Sequence, residues 1–451
     1  MNQQITLQIA TFAWWTPLNV EKERTRLQLY IQIFHRPSLQ YHTEMEQSGD
    51  PDFNSEETVG ERNPYYPNQR DLNDLIRDLG LTKSNAELLT SRLKEWDLLD
   101  ENVKVGSQRK RHEEFSRFFS SKTGLCFCHD VSGLFEAIGI PCNPNEWRLF
   151  IDSSSRSLKA VLLHNWNKFP SIPVAHSVQL KEEYNNVKTL LEALKYADYG
   201  WEVIGDFKMM AFLMGLQGGF TKFPCYLCLW DSRDTASHYK RKQWPSRTEY
   251  LVGKHNVKCE PLVKPEKILF PPLHLKLGLM KQFVSALDKE SDAFRYLRNF
   301  FPKLSDAKVK AGVFVGPQIK KILQSGEFSD KLSRVEREAW ESFAAVVNSF
   351  LGNHKASNYV SLVEDLVRKY KKMGCRMSLK VHVLDAHLRN FKENMGAYSE
   401  EHGERFHQDM REFERRYQGA YDAKMMGDYV WCLIRESDLQ YRRKCRKTVH
   451  F

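Results

Sequence analysis

The chain has 451 residues, enough for two or three domains with their own cores. Its 67 Lys and Arg exceed 57 Asp and Glu for a net charge of +10, a balance that favours polyanionic partners, although many basic proteins bind no nucleic acid. No apolar run approaches the roughly 18 residues of a membrane span, no secretory signal pattern opens the chain, and nine Cys without even pairing argue against a disulfide framework, so cytosol or nucleus is expected.

Residues 1–60 read as an irregular leader: 8–18 are aromatic and 47–57 polar and turn-forming, with no shared period. Residues 61–140 read as a helical N-terminal domain. Leu72, Leu75, Ile76 and Leu79 make one stripe, and Leu88, Leu89, Leu93 and Trp96 make a second after a break at Gly80. Such a hairpin either packs on its neighbour or forms a small DNA-binding or dimerisation unit. The basic run 104–112 reads as a linker that contacts phosphate, acts as a nuclear address or is simply solvated. Cys126, Cys128 and His129 lack a second ligand pair nearby and read as buried thiols.

Residues 141–235 carry the stretch that organises the chain. Branched and aromatic runs at 148–152, 158–164 and 171–176, broken by Ser, Asn and Pro, read as adjacent antiparallel strands. A helical stripe over 181–196 follows, then an apolar strand at 202–205 that ends on Asp206. Three strands, a helix and a fourth strand open a ribonuclease-H-like core, with Asp152 closing the first strand and Asp206 the fourth. Carboxylates at strand ends suit a pair of Mg²⁺ ions held roughly 3.5–4 Å apart for phosphodiester chemistry. The plainer alternative is that Asp152 caps the following turn and Asp206 the following helix.

Next, Cys225 and Cys228 stand as C-x₂-C, a spacing at which two thiolates share one tetrahedral Zn²⁺ at about 2.3 Å. Two further ligands are offered far along the chain by His382 and His387 as H-x₄-H. Between the pairs, residues 236–378 read as an all-helical insertion, dotted with basic tracts at 240–242 beside Trp244 and at Lys369, Lys371 and Lys372. Affinity for DNA is largely electrostatic, yet solvated helix faces explain these tracts equally well. The closing segment, 379–451, holds the His pair and an acidic helix with Glu400, Glu401, Glu404, His407 and Gln408. That helix is either a charged surface or the bearer of a third carboxylate. The densest basic run, 441–447, reads as a nuclear signal or DNA clamp.

The order Asp152, Asp206, Cys225-x₂-Cys228, His382-x₄-His387, Glu404 resembles the DDE transposases of cut-and-paste DNA transposons. It is most similar to the group with a large helical insertion that includes hAT and Transib elements and the V(D)J recombinase catalytic subunit. Stretches such as EWRLFIDSS, KAVLLHN, FPCYLCLWDSRD, PPLHLKLGLMK, MGCRMSLKVHVLDAHL and EHGERFHQD carry the resemblance over roughly 72–451. It implies an α/β ribonuclease-H-like core, a mixed sheet flanked by helices, interrupted by the helical insertion. It implies that Asp152, Asp206 and Glu404 hold a catalytic Mg²⁺ (or Mn²⁺) pair, with Glu401 and then Glu400 as rivals for the third place. Cys225, Cys228, His382 and His387 would bind one structural Zn²⁺, and His407 matches a position that the family fills with Asn or His. His274 recurs in similar proteins without an evident physical role. No zinc finger is read ahead of the core, a departure that leaves recognition of transposon ends without assigned residues.

The activity implied is metal-dependent DNA cleavage and strand transfer by a nuclear protein. Its partners would be double-stranded DNA, as transposon ends and target, and further copies of the chain in a homodimer or higher oligomer; no membrane is involved. Two other readings are a non-catalytic DNA- or chromatin-binding protein derived from a transposase, and an unrelated ribonuclease-H-like exonuclease, against which the insertion and zinc pairs argue.

Overall fold

The central strands come from sequences that are apolar on both faces, as strands buried on both sides require. In a computed structural model, which describes residues 65–436 except 155, they build a mixed seven-stranded sheet. Strands β1 (Phe119–Lys122), β2 (Leu125–Cys128), β3 (Trp147–Ser153), β4 (Leu158–His164), β5 (Ile172–Ser177), β6 (Glu202–Ile204) and β7 (Ile268–Leu269) lie in the order β1-β2-β5-β4-β3-β6-β7. Neighbours from β1 through β3 are antiparallel, whereas β6 and β7 run parallel to β3. Every residue of β4 and β5 is buried.

Thirteen helices of seven residues or more accompany the sheet among the described residues: α1 (Gln69–Leu79), α2 (Lys83–Glu95), α3 (Val131–Ile138), α4 (Tyr184–Ala193), α5 (Phe207–Leu213), α6 (Pro272–Ala286), α7 (Asp292–Phe300), α8 (Gly316–Gln324), α9 (Arg334–Ser349), α10 (Tyr359–Met373), α11 (Leu379–Ala386), α12 (Glu401–Tyr417) and α13 (Ala423–Trp431). Local chemistry sets their ends. Asn68 and Asp71 form a capping box on α1, Gly80 stops it in the left-handed conformation, and Thr82 caps α2.

Two expectations need correction. The segment 61–140 is not purely helical, because β1 and β2 form a hairpin whose second strand pairs with β5 and widens the sheet. Its two-residue turn is Thr123-Gly124, both at positive φ (49° and 80°), the geometry that suits the twist of paired strands. Nor is 236–378 helical throughout. From Met214 to Lys264 the described chain has neither helix nor strand, only turns and the bridges Leu216–Val257 and Cys228–Ser246. It then returns to the sheet as β7 before the helices begin at Pro272. These helices close on an aromatic cluster of Phe283, Phe328, Trp340 and Phe343.

The basic run 104–112 is a packed segment rather than a linker. The Arg111 guanidinium is buried on Asp428 at 2.6 Å and lies 4.7 Å over the Trp431 ring, and Gln108 is buried too. Helix α12 meets the sheet closely: a Cβ at Gly403 would stand 2.4 Å from the Phe150 ring. Residues 1–60 and the basic run 441–447 lie outside the described residues. No described helix is long and apolar enough to cross a membrane.

Candidate metal centre and acidic centre

The parallel pairing of β3 and β6 sets the first two acids. Phe150 is opposite Ile204, the last residue of β6, so Asp152 two residues on and Asp206 two residues past the end of β6 reach the same carboxyl edge, where the charge of Asp206 acts on Asp152. Asp206 also caps α5, its Oδ1 accepting the Met209 N–H at 2.6 Å. The capping role and a place in the acidic centre therefore coexist.

The third acid comes from the first turn of α12. Burial, then the charges of Glu404 and Asp206, push the Asp152 carboxyl up to about 7. Glu404 is raised by burial as well, with Glu400 and Asp206 adding to it and His274 opposing. The rivals are engaged elsewhere. Glu401 is exposed and pairs with Lys276 at 3.5 Å. Glu400 is wholly buried, and its Oε1 accepts from the His274 backbone N–H at 2.8 Å while the His274 Nδ1 lies at 3.1 Å. Holding Glu400 is thus the role that the sequence left blank for His274.

One turn beyond Glu404, the His407 Nε2 approaches Asp152 Oδ2 to 2.6 Å, off the hydrogen-bonding direction. Burial, then Lys159 and Arg411, hold this imidazole down to about 4, so it is neutral at physiological pH. Lys380, not singled out by the sequence, is a half-buried cation within the field of Asp206 and Glu400, although burial lowers its basicity. In the sequence it stands two residues before His382, with no pattern that marks it.

The second cluster is Cys225, Cys228, His382 and His387, whose ligand atoms all lie within 4.8 Å of one another. Cys225 Sγ is 3.4 Å from His387 Nε2, and Cys228 Sγ is 3.2 Å from His382 Nε2 and 3.3 Å from His387 Nε2. Bond lengths of about 2.3 Å to sulfur and 2.0–2.1 Å to nitrogen at tetrahedral angles require S–N separations of about 3.6 Å. The cluster can therefore hold a metal ion such as zinc. Five residues apart, two His do not share a face of a straight helix. Here α11 ends at Ala386, and His387 leaves the helical conformation (φ −126°, ψ 31°) to turn its ring towards His382.

The thiol loop is fixed from behind. Buried Arg247 donates to the carbonyls of Cys225 (3.1 Å), Phe223 (3.0 Å) and His255 (3.1 Å). Trp230 stacks on His382 with ring centroids 4.7 Å apart. Burial disfavours the Cys225 thiolate, yet hydrogen bonds from Cys228, His382 and His387 outweigh it and hold that thiol well below its usual value. The same contact, with burial, raises Cys228. Burial also keeps His382 neutral, the form that binds metal.

The basic tracts of 236–378 are largely spoken for. Arg241 lies 4.6 Å over Trp244, Lys242 pairs with Glu364, Lys369 with Asp365 and Lys372 with Glu338.

Comparison with known families gives two matches. Residues 107–263 match a model described as Domain of unknown function (DUF8703), and residues 272–352 match another, Domain of unknown function (DUF8704). No curated protein matches the chain. The first match covers β1 to β6 and the thiol loop, the second covers α6 to α9, and β7 lies between them.

Proposed function

We propose that the chain is a DDE-type nuclease and strand transferase on a ribonuclease-H-like core, acting on double-stranded DNA. The observation that carries this reading is the register that sets Asp152 beside Asp206 at one sheet edge, with Glu404 close enough to raise the Asp152 carboxyl. Supporting it, β5-β4-β3-β6-β7 follows the order 3-2-1-4-5, antiparallel on one side of the first strand and parallel on the other. The transposase resemblance assigns the acids to the first and fourth of these strands and to the last core helix.

Three crowded, half-buried carboxylates repel one another, and a divalent cation pair relieves that repulsion. Bound Mg²⁺ or Mn²⁺ would activate water or a 3′-OH and neutralise charge on the attacked phosphate. Asp152, Asp206 and Glu404 would hold the ions. The neutral His407 ring leaves Asp152 its charge without competing for it, and Lys380 limits the negative potential from the Asp206 side. Zn²⁺ at Cys225, Cys228, His382 and His387 would serve structure, tying the loop after β6 to the helix that leads into α12. A net charge of +10 supports DNA as partner, and action on DNA implies a nuclear location and assembly of at least two copies to join two ends.

The test is cleavage of end-labelled duplex DNA with Mg²⁺ or Mn²⁺. We expect cleavage that Asp206→Ala and Glu404→Ala abolish. DNA binding without cleavage would overturn the nuclease reading in favour of a non-catalytic, transposase-derived DNA-binding protein.

A further inference from the structure

Asp152 begins a row of side chains that crosses the sheet. Asp152 is opposite Lys159, Lys159 opposite His176, and His176 opposite Cys126, so all four project from one face. Helix α12 lies on that face. Positions 404, 407, 411 and 414 form one stripe along it, at helical spacing. At its start Glu404 and His407 meet Asp152. At its far end the Glu414 Oε1 lies 2.8 Å from Lys159 Nζ and 2.8 Å from His176 Nε2.

Lys159 and His176 are 5% and 0% exposed, and the Tyr421 ring meets the His176 ring at 5.9 Å. Of the buried residues of α12, Gly403 permits close approach to the Phe150 ring but supplies no bond, and Phe406, Met410 and Phe413 are apolar and tolerate sliding, since one large apolar side chain replaces another after a turn. Glu414 does not. A slip of one turn, about 5.4 Å, would bring Met410 or Arg411, or Tyr417 or Gln418, into the place of Glu414 and leave Lys159 and His176 buried with no carboxylate partner. Burial disfavours the Glu414 charge, but the bonds from His176 and Lys159 outweigh it and hold the carboxyl at about 2.

We propose that Glu414, gripped by Lys159 and His176, is a positioning residue that fixes the register of α12 and so delivers Glu404 and His407 to Asp152. The consequence for catalysis rests on the nuclease reading above; the grip on the helix does not. Over ten residues the two ends of the stripe stand about 15 Å apart, so Glu414 acts through the helix and not by contact with the reacting phosphate.

The experiment uses the full chain and two readouts. Hydrogen exchange follows amides of 401–410, with α13 as internal control, and a Mg²⁺ titration follows DNA cleavage. In Glu414→Gln and Lys159→Met we expect α13 to stay protected, amides 401–410 to exchange at least about tenfold faster, and the half-saturating Mg²⁺ concentration to rise at least about tenfold. Lys159→Arg, which keeps the charge, is expected to stay near wild type in both. Wild-type exchange over 401–410 in folded Glu414→Gln, or a loss confined to 411–417, overturns the proposal. If Glu414→Gln does not fold, Glu414→Asp, one methylene shorter with the charge kept, is read in the same way. If the unaltered chain cuts no DNA with Mg²⁺ or Mn²⁺, the nuclease reading fails, and exchange alone decides the role of Glu414.

Discussion

The two clusters of ionisable side chains differ in how far each is complete without an ion. At the cysteine and histidine cluster, four donors already stand near tetrahedral separations, burial keeps His382 neutral, and one thiol gives up its proton easily. At the acidic centre, burial and then the like charges of Glu404 and Asp206 push the Asp152 carboxyl up to about 7. On the reading proposed above, the first would serve as a joint, and the second would be relieved by a divalent cation pair. The same short stretch serves both, since α11 carries His382, His387 follows its last residue and α12 carries Glu404.

The largest expected effect breaks the acidic side alone. Asp206→Ala or Glu404→Ala lowers metal-dependent DNA cleavage by about a thousandfold or more while zinc content stays at one per chain, measured by gel assay and atomic emission. Next comes the joint. Cys228→Ser reduces zinc below one per chain, lowers Tm by about 5–10 °C and alters Trp230 fluorescence, because that indole stacks on His382. Retention of stoichiometric zinc by Cys228→Ser would remove the metal-joint reading. Smaller still is Arg247→Met, which frees three buried carbonyls and is expected to weaken zinc binding about 10–100-fold in a competition titration.

The smallest effects are in the pH dependence of stability, read from denaturant melts. Asp152 titrates near 7 in the folded chain against a usual 3.8, so its contribution is fully present below about pH 3.8 and is lost as pH rises through 7. Glu404→Gln, which removes one neighbouring charge, therefore raises the metal-free Tm by about 1–3 °C at pH 8. Glu414 is displaced the other way. Its contribution is present above pH 4.5 and lost as pH falls through about 2, and Glu414→Gln flattens that acid limb.

How much of this was legible beforehand follows from the range of each interaction. The strands 147–177 and the helix after them declare themselves through local pattern, and C-x₂-C with H-x₄-H declares donor chemistry through spacing. The hairpin at 119–128 was missed because its strands are only four residues long and the first is half serine, although Thr123-Gly124 between them was a usable turn signal. The irregular path from Met214 to Lys264 follows no periodicity, being held by its own backbone bridges and by Arg247, whose partners lie up to 24 residues away. Strand β7 has only two residues and exists because β6 offers it an edge. The engagement of Glu400 by His274 and of Glu414 by Lys159 and His176 needs sheet register and helix placement, which no local window contains.

The contact between Gly403 and Phe150 has one more consequence. At that point only a hydrogen atom lies between helix backbone and aromatic ring, so a methyl group added there works as a shim. Glu404 is the very next residue, and it would be lifted with the backbone by more than the about 0.5 Å that a working constellation of ligands tolerates. Spacing between Glu404 and the two aspartates is thereby governed by a side chain that is missing.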